Sequence, residues 1–570
     1  MSREGIDMLQ MRILSSLHRV FPSDCPIVSL ARFTAAANEP LSFQAAFRLE
    51  GAEEKVCRVN VRTETELPLS TYLVGYVPVI HTDTAGLTGL PAPGLFGDML
   101  LEKQTNPELI YEGAPWGREY YEKGEETLLI AADDCWQALW FTVNEHRQSI
   151  APGRYPVTVT LESAADRAVL AQRTLEIEIL PARLEPQTLL YTCWFHCDCL
   201  ADYYGVDMFS DRFFKIMRDF VEKAARNGMN MLLLPAFTPP LDTCIGSERR
   251  TAQLVRIEKR GDSYSFDFSL MKRYLDVARE AGIDYFEHAQ LFSQWGALAA
   301  PKIVATVDGR EQRIFGWDTE AAGEDYARFL RAYLPQLTAF LRAEGLQGRV
   351  LFHISDEPTD ANEAAYARAK AVVSDLLEGW MLGDPLADYR FYENGLVSTP
   401  ICATDAIDAF LGRCDHLWAY YTGGQLQGGL SNRVLITPPE RNRMLGVQLY
   451  AHRIEGFLHW GYNYYYDKLS HGLFDPRTNP CGYNNHAGTS YIVYPGRKGD
   501  AIQSVRQKVF AEGLDDLRAL QTLEKRKGRA CCERLIQACF GTTTFRTAPD
   551  SPEAMLRFRE AVNRALAESF

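Results

Sequence analysis

The hydrophobic periodicity of the chain changes near residue 185, and this change constrains the fold more than any other feature. Before it, apolar residues alternate with polar ones in three segments: Val59 and Val61; Val157, Val159 and Leu161; and Leu175, Ile177 and Ile179. A period of two is typical of half-buried antiparallel strands, and Pro152-Gly153 is a turn signal before one of them. We therefore predict an N-terminal antiparallel β-sandwich over residues 1–185.

After residue 185, short apolar runs alternate with amphipathic helical patterns, which is typical of βα units. The predicted strands lie at residues 189–195, 229–234, 283–286 and 350–354, then near residues 389–392, 416–421, 433–436 (or within the following helix) and 456–460. Eight such units predict a (β/α)8 TIM-like barrel over residues 186–475, with its active site at the carboxyl ends of the strands. The alternative, an open doubly wound sheet, lacks a Gly-rich phosphate loop after the first strand. Residues 476–570 are predicted to form a C-terminal β/helical cap.

Composition narrows the class of partner. The net charge of −14 disfavours nucleic-acid binding, which needs clustered Lys and Arg. No apolar run approaches the roughly 20 residues that cross a bilayer, and the first residues do not resemble a secretory signal. The 13 cysteines lack a disulfide framework spacing, which favours a reducing compartment. We expect a cytoplasmic location and no nucleic-acid or membrane partner. The sequence does not determine the oligomeric state.

Two adjacent carboxylates, Asp356 and Glu357, follow the predicted fourth strand. At a barrel mouth one of them would hold its proton toward neutral pH, because like charges disfavour double ionisation. Such a pair could protonate a glycosidic oxygen. The structural alternative is that Asp356 caps the following helix and Glu357 lies in its first turn.

Aromatic residues are concentrated at or just beyond the predicted strand ends. Sugar rings stack on aromatic faces, although each such residue taken singly is more often part of a core. The set comprises Trp194, Phe195, His196, Tyr285, His288, Trp295, Tyr392, Trp418, Tyr420, Tyr421, Trp460, Tyr462 and Tyr464. Their concentration indicates a carbohydrate site.

Four segments carry a resemblance to a known family. They are HISDEP at residues 353–358, GFLHWGYNYY at 456–465, YIVYPG at 491–496 and SVRQKVFAEGLDDLRAL at 504–520. With them the chain resembles the catalytic domain of glycoside hydrolase family 123 and the related domain of unknown function 4091, over residues 185–525. A β-sandwich precedes this domain in the family as well.

The resemblance implies a retaining exo-glycosidase that releases terminal β-linked N-acetylgalactosamine (GalNAc) without a cofactor. In such enzymes the 2-acetamido group of the substrate is the nucleophile. Glu357 would then be the general acid/base, and Asp356 would orient the acetamido group and stabilise the developing positive charge. The expected substrate is a glycan or glycoconjugate with terminal β-GalNAc.

Further residues are candidates for substrate binding, each with a structural alternative. Trp460 would line the sugar pocket or pack in the barrel, and Asn394 would bind the acetamido group or form a turn with Gly395. His288 would contact hydroxyls or be a satisfied core histidine. The remaining candidates are Tyr392, Tyr420, Tyr421 and Trp295.

Two other chemistries fit the sequence. A two-carboxylate retaining β-glycosidase would keep Glu357 as acid/base and needs a second carboxylate about 5 Å away, for which Glu393 and Asp467 are available. A non-catalytic carbohydrate-binding relative is the other alternative, since a fold does not guarantee activity. The segment YNNHAGTS at residues 483–490 replaces a Gly-Asp-Gly run expected in the family, which leaves the exact sugar open.

A metal site is not expected. Cys193, His196, Cys197 and Cys199 lie within seven residues, whereas zinc sites prefer two separated pairs of ligands.

Overall fold

The computed structural model describes residues 9–50, 56–82, 91–103, 120–123, 126–133, 135–482 and 486–568. Residues 483–485, which belong to the segment that departs from the family pattern, therefore lie outside the described residues. Within the described ranges, no helix is long and apolar enough to cross a membrane.

Two facing β-sheets form the N-terminal part of the chain. A five-stranded sheet has the order β1-β3-β9-β5-β6, and a six-stranded sheet has the order β2-β11-β10-β4-β8-β7. The strands are β1 Leu9–Ser15, β2 Arg32–Ala36, β3 Leu41–Leu49, β4 Val56–Glu64, β5 Leu69–Val79, β6 Gly94–Leu101, β7 Tyr120–Lys123, β8 Glu126–Ala132, β9 Gln137–Val143, β10 Gly153–Ser163 and β11 Val169–Leu180. All three alternating segments of the sequence lie in strands, and Val157 pairs with Leu175 across β10 and β11. Both sheets contribute to one apolar core, as the period of two predicts, although β2 and β11 run parallel.

Eight parallel strands close into a barrel after the sandwich. Strand β12 pairs with both β13 and β23, which closes the ring. The barrel strands are β12 Leu190–Cys193, β13 Met231–Leu234, β16 Tyr285–His288, β19 Val350–Phe352, β20 Met381–Leu386, β21 Thr399–Ala403, β22 Trp418–Tyr420 and β23 Gly456–His459. The first four strands and the last are confirmed where the sequence predicts them.

Two predicted barrel strands are wrong. Residues 389–392 lie on a short helix rather than a strand, and residues 433–436 lie in a loop. The fifth and sixth strands are instead β20 and β21, so the predicted sixth strand at residues 416–421 is the seventh. Sequence patterns hide β20 because Gly383 and Pro385 read as strand breakers. The structure requires that glycine: a Cβ at position 383 would lie 2.7 Å from the Thr399 carbonyl oxygen of β21.

Helices of unequal length connect the barrel strands. They are α1 Cys197–Tyr204, α2 Asp211–Arg226, α3 Ser269–Glu280, α4 Glu324–Ala343, α5 Glu363–Val373, α6 Arg390–Glu393 and α7 Pro439–Ala451. A four-stranded sheet of two hairpins, β14 Arg256–Arg260 with β15 Ser263–Asp267 and β17 Ile303–Val307 with β18 Arg310–Phe315, is inserted beside them. The connection from β20 to β21 has only the four-residue α6, and that from β21 to β22 has a single 3-10 turn, Ile407–Ala409.

The C-terminal segment packs its longest helix inside the protein. It contains β24 Tyr494–Pro495, β25 Ala501–Ile502, α8 Val505–Lys527, α9 Arg529–Phe540 and α10 Pro552–Ala567. Helix α8 is buried along most of its length. It crosses α7 so closely that a Cβ at Gly446 would lie 1.8 Å from the Gly513 carbonyl oxygen.

Candidate active site

The chain leaves β19 at Phe352 and turns sharply at the carboxylate pair. Glu357 has a φ of 43°, in the left-handed region that non-glycine residues avoid, and its backbone N–H donates to the Pro385 carbonyl at 3.1 Å. The Asp356 carbonyl accepts from the Trp295 N–H at 2.7 Å, and Trp295 is itself left-handed, with φ 58°. Such conformations cost of order 1–3 kcal/mol each and are common at functional sites. The loop after β16 and strand β20 thus hold the pair in place from both sides.

The two carboxylates have different environments, and both keep some solvent exposure. The Tyr420 hydroxyl, at the end of β22, donates to Glu357 Oε1 at 2.6 Å, which directs Glu357 across the barrel mouth. Among the described residues, none donates a hydrogen bond to the Asp356 carboxylate. Burial, and next the charge of Glu357, raise the pKa of Asp356 well above its usual value. Both effects favour the protonated form of Asp356.

Neither residue caps a helix. The 3-10 turn Asp360–Asn362 is capped by Thr359, and α5 begins only at Glu363. The structural alternative for the carboxylate pair is therefore wrong.

A buried charged layer lies directly beneath the pair. His353 Nε2 is 2.8 Å from Glu287 Oε2, and His353 Nδ1 is 3.4 Å from Asp384 Oδ1. All three side chains are within 1% of complete burial. Burial alone would lower the pKa of His353, but the neighbouring carboxylates of Asp384 and Glu287 outweigh it and raise the pKa to about 10. His353 is therefore a cation at neutral pH, held between two carboxylates.

Asp384 also fixes the backbone that carries the pair. Its Oδ1 accepts from the N–H groups of Ile354 and Ser355, at 3.0 and 3.2 Å. The Ser355 hydroxyl donates to the Ser293 carbonyl at 2.7 Å and accepts from the Ala297 N–H at 3.0 Å. Sequence reasoning missed Asp384 and Ser355, because β20 was not predicted and a serine before two acids carries no signal of its own.

Two tryptophans flank the mouth. Trp295, 37% exposed, is bonded through its backbone to Asp356. Trp460 directly follows β23, and its ring meets that of Tyr464 edge-on at 5.1 Å between centroids. His196 fixes the Trp460 backbone through its Nε2, 2.8 Å from the Trp460 carbonyl. Burial and the adjacent Arg249 lower the pKa of His196 to about 3, so its ring is neutral and Nε2–H donates.

A third carboxylate, Asp242, belongs to the same region. It lies in the loop after β13, keeps partial exposure, and its charge contributes to the raised pKa of Asp356. Its Oδ2 accepts from the Tyr464 hydroxyl at 2.7 Å. A single aspartate in a polar loop gives no sequence signal, so only the fold reveals it.

The structure buries two of the candidate binding residues, His288 and Tyr421, away from the barrel mouth. His288 is 1% exposed; its Nδ1 lies 2.6 Å from the Ala289 carbonyl and its Nε2 3.0 Å from the Tyr333 hydroxyl. Tyr421 is fully buried against Phe457, on the opposite side of the strand from Tyr420. Successive residues of a strand point to opposite faces, so only one of the two tyrosines can reach the mouth.

Tyr392 and Asn394 are expected at the site because a fifth barrel strand is predicted at residues 389–392, where the structure has a short helix instead. Both lie in the returning connection after β20, on or just after α6. The Tyr392 hydroxyl accepts from the Asp415 N–H at 3.1 Å, ahead of β22, at the amino ends of the strands. Asn394 is exposed and donates to Glu363 at 3.2 Å. Glu393, a candidate nucleophile of the two-carboxylate mechanism, is exposed on the same short helix.

The cysteine cluster does not converge. The Cys193 sulfur lies 2.9 Å from an Arg433 nitrogen, the Cys197 sulfur 3.9 Å from the Tyr274 hydroxyl, and His196 bonds Trp460. Within the described part of the chain, no group of three or more His, Cys, Asp or Glu side chains is arranged to hold a metal ion.

An adjacent pair of carboxylates, with tryptophans beside it at the mouth of a parallel barrel, is typical of carbohydrate-cleaving enzymes. The chain belongs to glycoside hydrolase family 123: the family model described as "Glycoside hydrolase 123, catalytic domain" matches residues 194–523, more than half of its length. It is therefore a glycoside hydrolase.

Solved structures agree with this fold. A family 123 glycoside hydrolase from Clostridium perfringens, studied for glycolipid glycan hydrolysis, is 13% identical, with 98% of each chain covered and a TM-score of 0.71. A β-glucuronidase 2 mutant from Bacteroides uniformis is 10% identical, covering 92% of this chain and 50% of that one, with a TM-score of 0.29. That score is too low to establish a shared fold. No curated protein matches the chain.

Proposed function

We propose that this enzyme releases terminal β-linked GalNAc from glycans by substrate-assisted, retaining hydrolysis. The observation that carries the proposal is the carboxylate pair itself: Glu357 accepts a hydrogen bond from Tyr420, whereas no side chain or backbone group in the described part of the chain donates to the Asp356 carboxylate. A carboxylate that accepts no hydrogen bond from its surroundings can accept one from the acetamido N–H of the substrate.

In this mechanism the proton of the carboxylate pair is transferred from Asp356 to Glu357. An acetamido N–H bound to Asp356 favours its ionised form, so the shared proton moves to Glu357. Tyr420 occupies Glu357 Oε1, which leaves Oε2 as the atom that meets the glycosidic oxygen. The two carboxylates thus become one acid and one orienting anion on substrate binding.

The first step breaks the glycosidic bond. The acetamido oxygen attacks the anomeric carbon, the C1–O bond breaks, and the leaving oxygen takes the proton from Glu357. The Asp356 anion stabilises the positive charge of the oxazolinium-like intermediate, and the intramolecular nucleophile supplies a high effective molarity. In the second step water attacks C1, gives a proton to Glu357 and releases the sugar with its configuration retained.

The substrate class follows from the relative. Because the Clostridium perfringens enzyme was studied for glycolipid glycan hydrolysis, we propose a glycolipid or related glycoconjugate with terminal β-GalNAc. Trp460 and Trp295 would stack on the sugar, and Asp242 would accept from a ring hydroxyl. We further propose that the barrel is a (β/α)8 barrel whose helices after the fifth and sixth strands are reduced.

Aryl glycosides test the mechanism. Hydrolysis of aryl β-GalNAc, with none of aryl β-galactoside, is expected, because only the former carries the nucleophile. Glu357→Gln should lose about 10²–10⁴-fold in kcat for poor leaving groups and less for activated ones. Asp356→Asn should lose activity on every acetamido substrate. Asp360→Asn, in the same loop but exposed, is the matched control and should behave as wild type.

The two-carboxylate rival predicts a different outcome. Equal turnover of aryl β-galactoside and aryl β-GalNAc, with azide rescue of Asp467→Ala as a glycosyl azide, would replace this proposal by that mechanism. Near wild-type activity of both Asp356→Asn and Glu357→Gln would remove the assignment of the site.

A further inference from the structure

A cavity lies away from the carboxylate pair, between strand β6 and helix α8. It has a volume of about 30 Å³, enough for about two water molecules. Strand β6, the loop before α7 and the first turns of α8 provide its walls. Three arginines line it, Arg19, Arg433 and Arg506, together with the single carboxylate Asp98.

Two of these guanidinium groups have buried N–H groups without a partner. Arg433 is 1% exposed; its Nη atoms donate to the Tyr191 hydroxyl, the Cys193 sulfur and the Gly461 carbonyl, whereas its Nε has no acceptor. Arg506 is 6% exposed and bonds Asp98 through Nε, and its Nη2 has no acceptor. The Arg506 Nη1 donates to the Arg433 carbonyl at 3.0 Å, so the two residues are neighbours.

The positive charge at the cavity exceeds the negative charge. Arg506 pairs with Asp98, but among the described residues no carboxylate forms an ion pair with Arg433 or Arg19. Arg19 instead donates to backbone carbonyls, at 3.3 Å to Ile436 and 2.6 Å to Leu435. A buried cation without a counter-charge is costly, and buried charges in proteins are normally paired.

We propose that this cavity binds a monatomic anion of the chloride class, as the counter-ion of Arg433 and Arg506. The unpartnered Nε–H and Nη2–H groups donate to it, and the N-terminus of α8, which begins at Val505, adds its positive dipole. The Asn442 Oδ1, also in the wall and without a donor, accepts from a water molecule that shares the cavity with the anion.

The small volume of the cavity favours a monatomic anion over a larger oxyanion. The bound anion stabilises the junction of the sheet, the barrel and α8. Because Arg433 also holds the Gly461 carbonyl, the junction is continuous with the segment that carries Trp460.

Halide-dependent stability tests the proposal on the intact protein. Thermal unfolding is followed in sodium chloride, sodium bromide and sodium gluconate at equal ionic strength. The Tm should rise and level off with chloride or bromide and stay flat with gluconate. Crystals soaked in sodium bromide should show an anomalous bromine peak between Arg433 and Arg506.

Two variants remove the effect for different reasons. Arg433→Met deletes a cation, and Asn442→Asp supplies a built-in anion in the cavity wall; both should abolish the saturable response. Arg413→Met, an exposed arginine on the far loop before β22, is the matched control and should keep it. Identical unfolding in halide and gluconate, a bromide-soaked cavity that holds only water, or stabilisation by sulfate but not by halides would each overturn the proposal.

Discussion

The buried histidine beneath the carboxylate pair makes stability depend on pH in a defined window. His353 is hydrogen bonded to Glu287 and lies beside Asp384, and although burial alone would lower its pKa, these carboxylates raise it to about 10 from an ordinary 6.5. Since the folded-state pKa is the higher one, protonated His353 stabilises the folded protein fully below pH 6.5. That contribution is lost as the pH rises toward the folded-state value.

The size of the effect follows from the difference between the two pKa values. Each pH unit between them changes the free energy of unfolding by about 1.4 kcal/mol, so the whole interval corresponds to about 5 kcal/mol. Between pH 6.5 and about pH 9, the wild-type protein should lose about 3 kcal/mol from this group.

A double variant isolates this contribution. His353→Asn combined with Glu287→Gln replaces the ion pair by neutral amides, and such replacements are often tolerated. Urea unfolding followed by tryptophan fluorescence, at several pH values, gives the difference in free energy between wild type and variant. That difference should shrink by about 3 kcal/mol over the window. His416→Asn, an exposed histidine beside Glu455, should follow the wild type. Parallel curves for wild type and the double variant would show that His353 is neutral and refute the reasoning.

Two further substitutions test single contacts. Tyr420→Phe removes the hydroxyl that donates a hydrogen bond to Glu357. A hydrogen bond to a charged group is worth about 1.5–3 kcal/mol, so kcat should fall about 10- to 100-fold while the urea midpoint changes little. An unchanged kcat would contradict the role of that bond. Gly446→Ala places a Cβ 1.8 Å from the Gly513 carbonyl oxygen and should lower the free energy of unfolding by more than about 3 kcal/mol. Gly472→Ala is the control, because no atom lies nearer than 3.9 Å to its Cβ, and it should shift the urea midpoint little. Equal midpoints for both variants would contradict the close crossing of α7 and α8.

The sequence predicts the fold best where apolar residues recur at regular spacing on one face of a strand or helix. Helix α2 buries one apolar face, as its amphipathic pattern predicts, and the strands of the sandwich alternate as expected. The sequence pattern does not predict strand β20, because its glycine and proline are required by tertiary contacts. Gly383 makes room for β21, and the Pro385 carbonyl accepts from Glu357. Such requirements come from residues distant in sequence, so no local pattern expresses them.

The same limit explains which site residues could be found. The carboxylate pair follows a strand and is visible in the sequence, whereas Tyr420 and Tyr421 can be told apart only once the strand's inward face is known. The inward residue meets Glu357, and its neighbour is buried outside the barrel ring. His288 illustrates the reverse: a histidine at a strand end is a plausible ligand contact until its partners Ala289 and Tyr333 are seen.

The charge beneath the pair also constrains its chemistry. Burial, Glu357 and Asp384 raise the pKa of Asp356, whereas the His353 cation lowers it. A neutral residue at position 353 would leave more negative charge under the pair and make Asp356 harder to ionise. Because the proposed intermediate needs an Asp356 anion beside its positive charge, the buried cation makes that anion accessible once substrate is bound. The charged layer therefore links the stability of the barrel to the ionisation on which the proposed reaction depends.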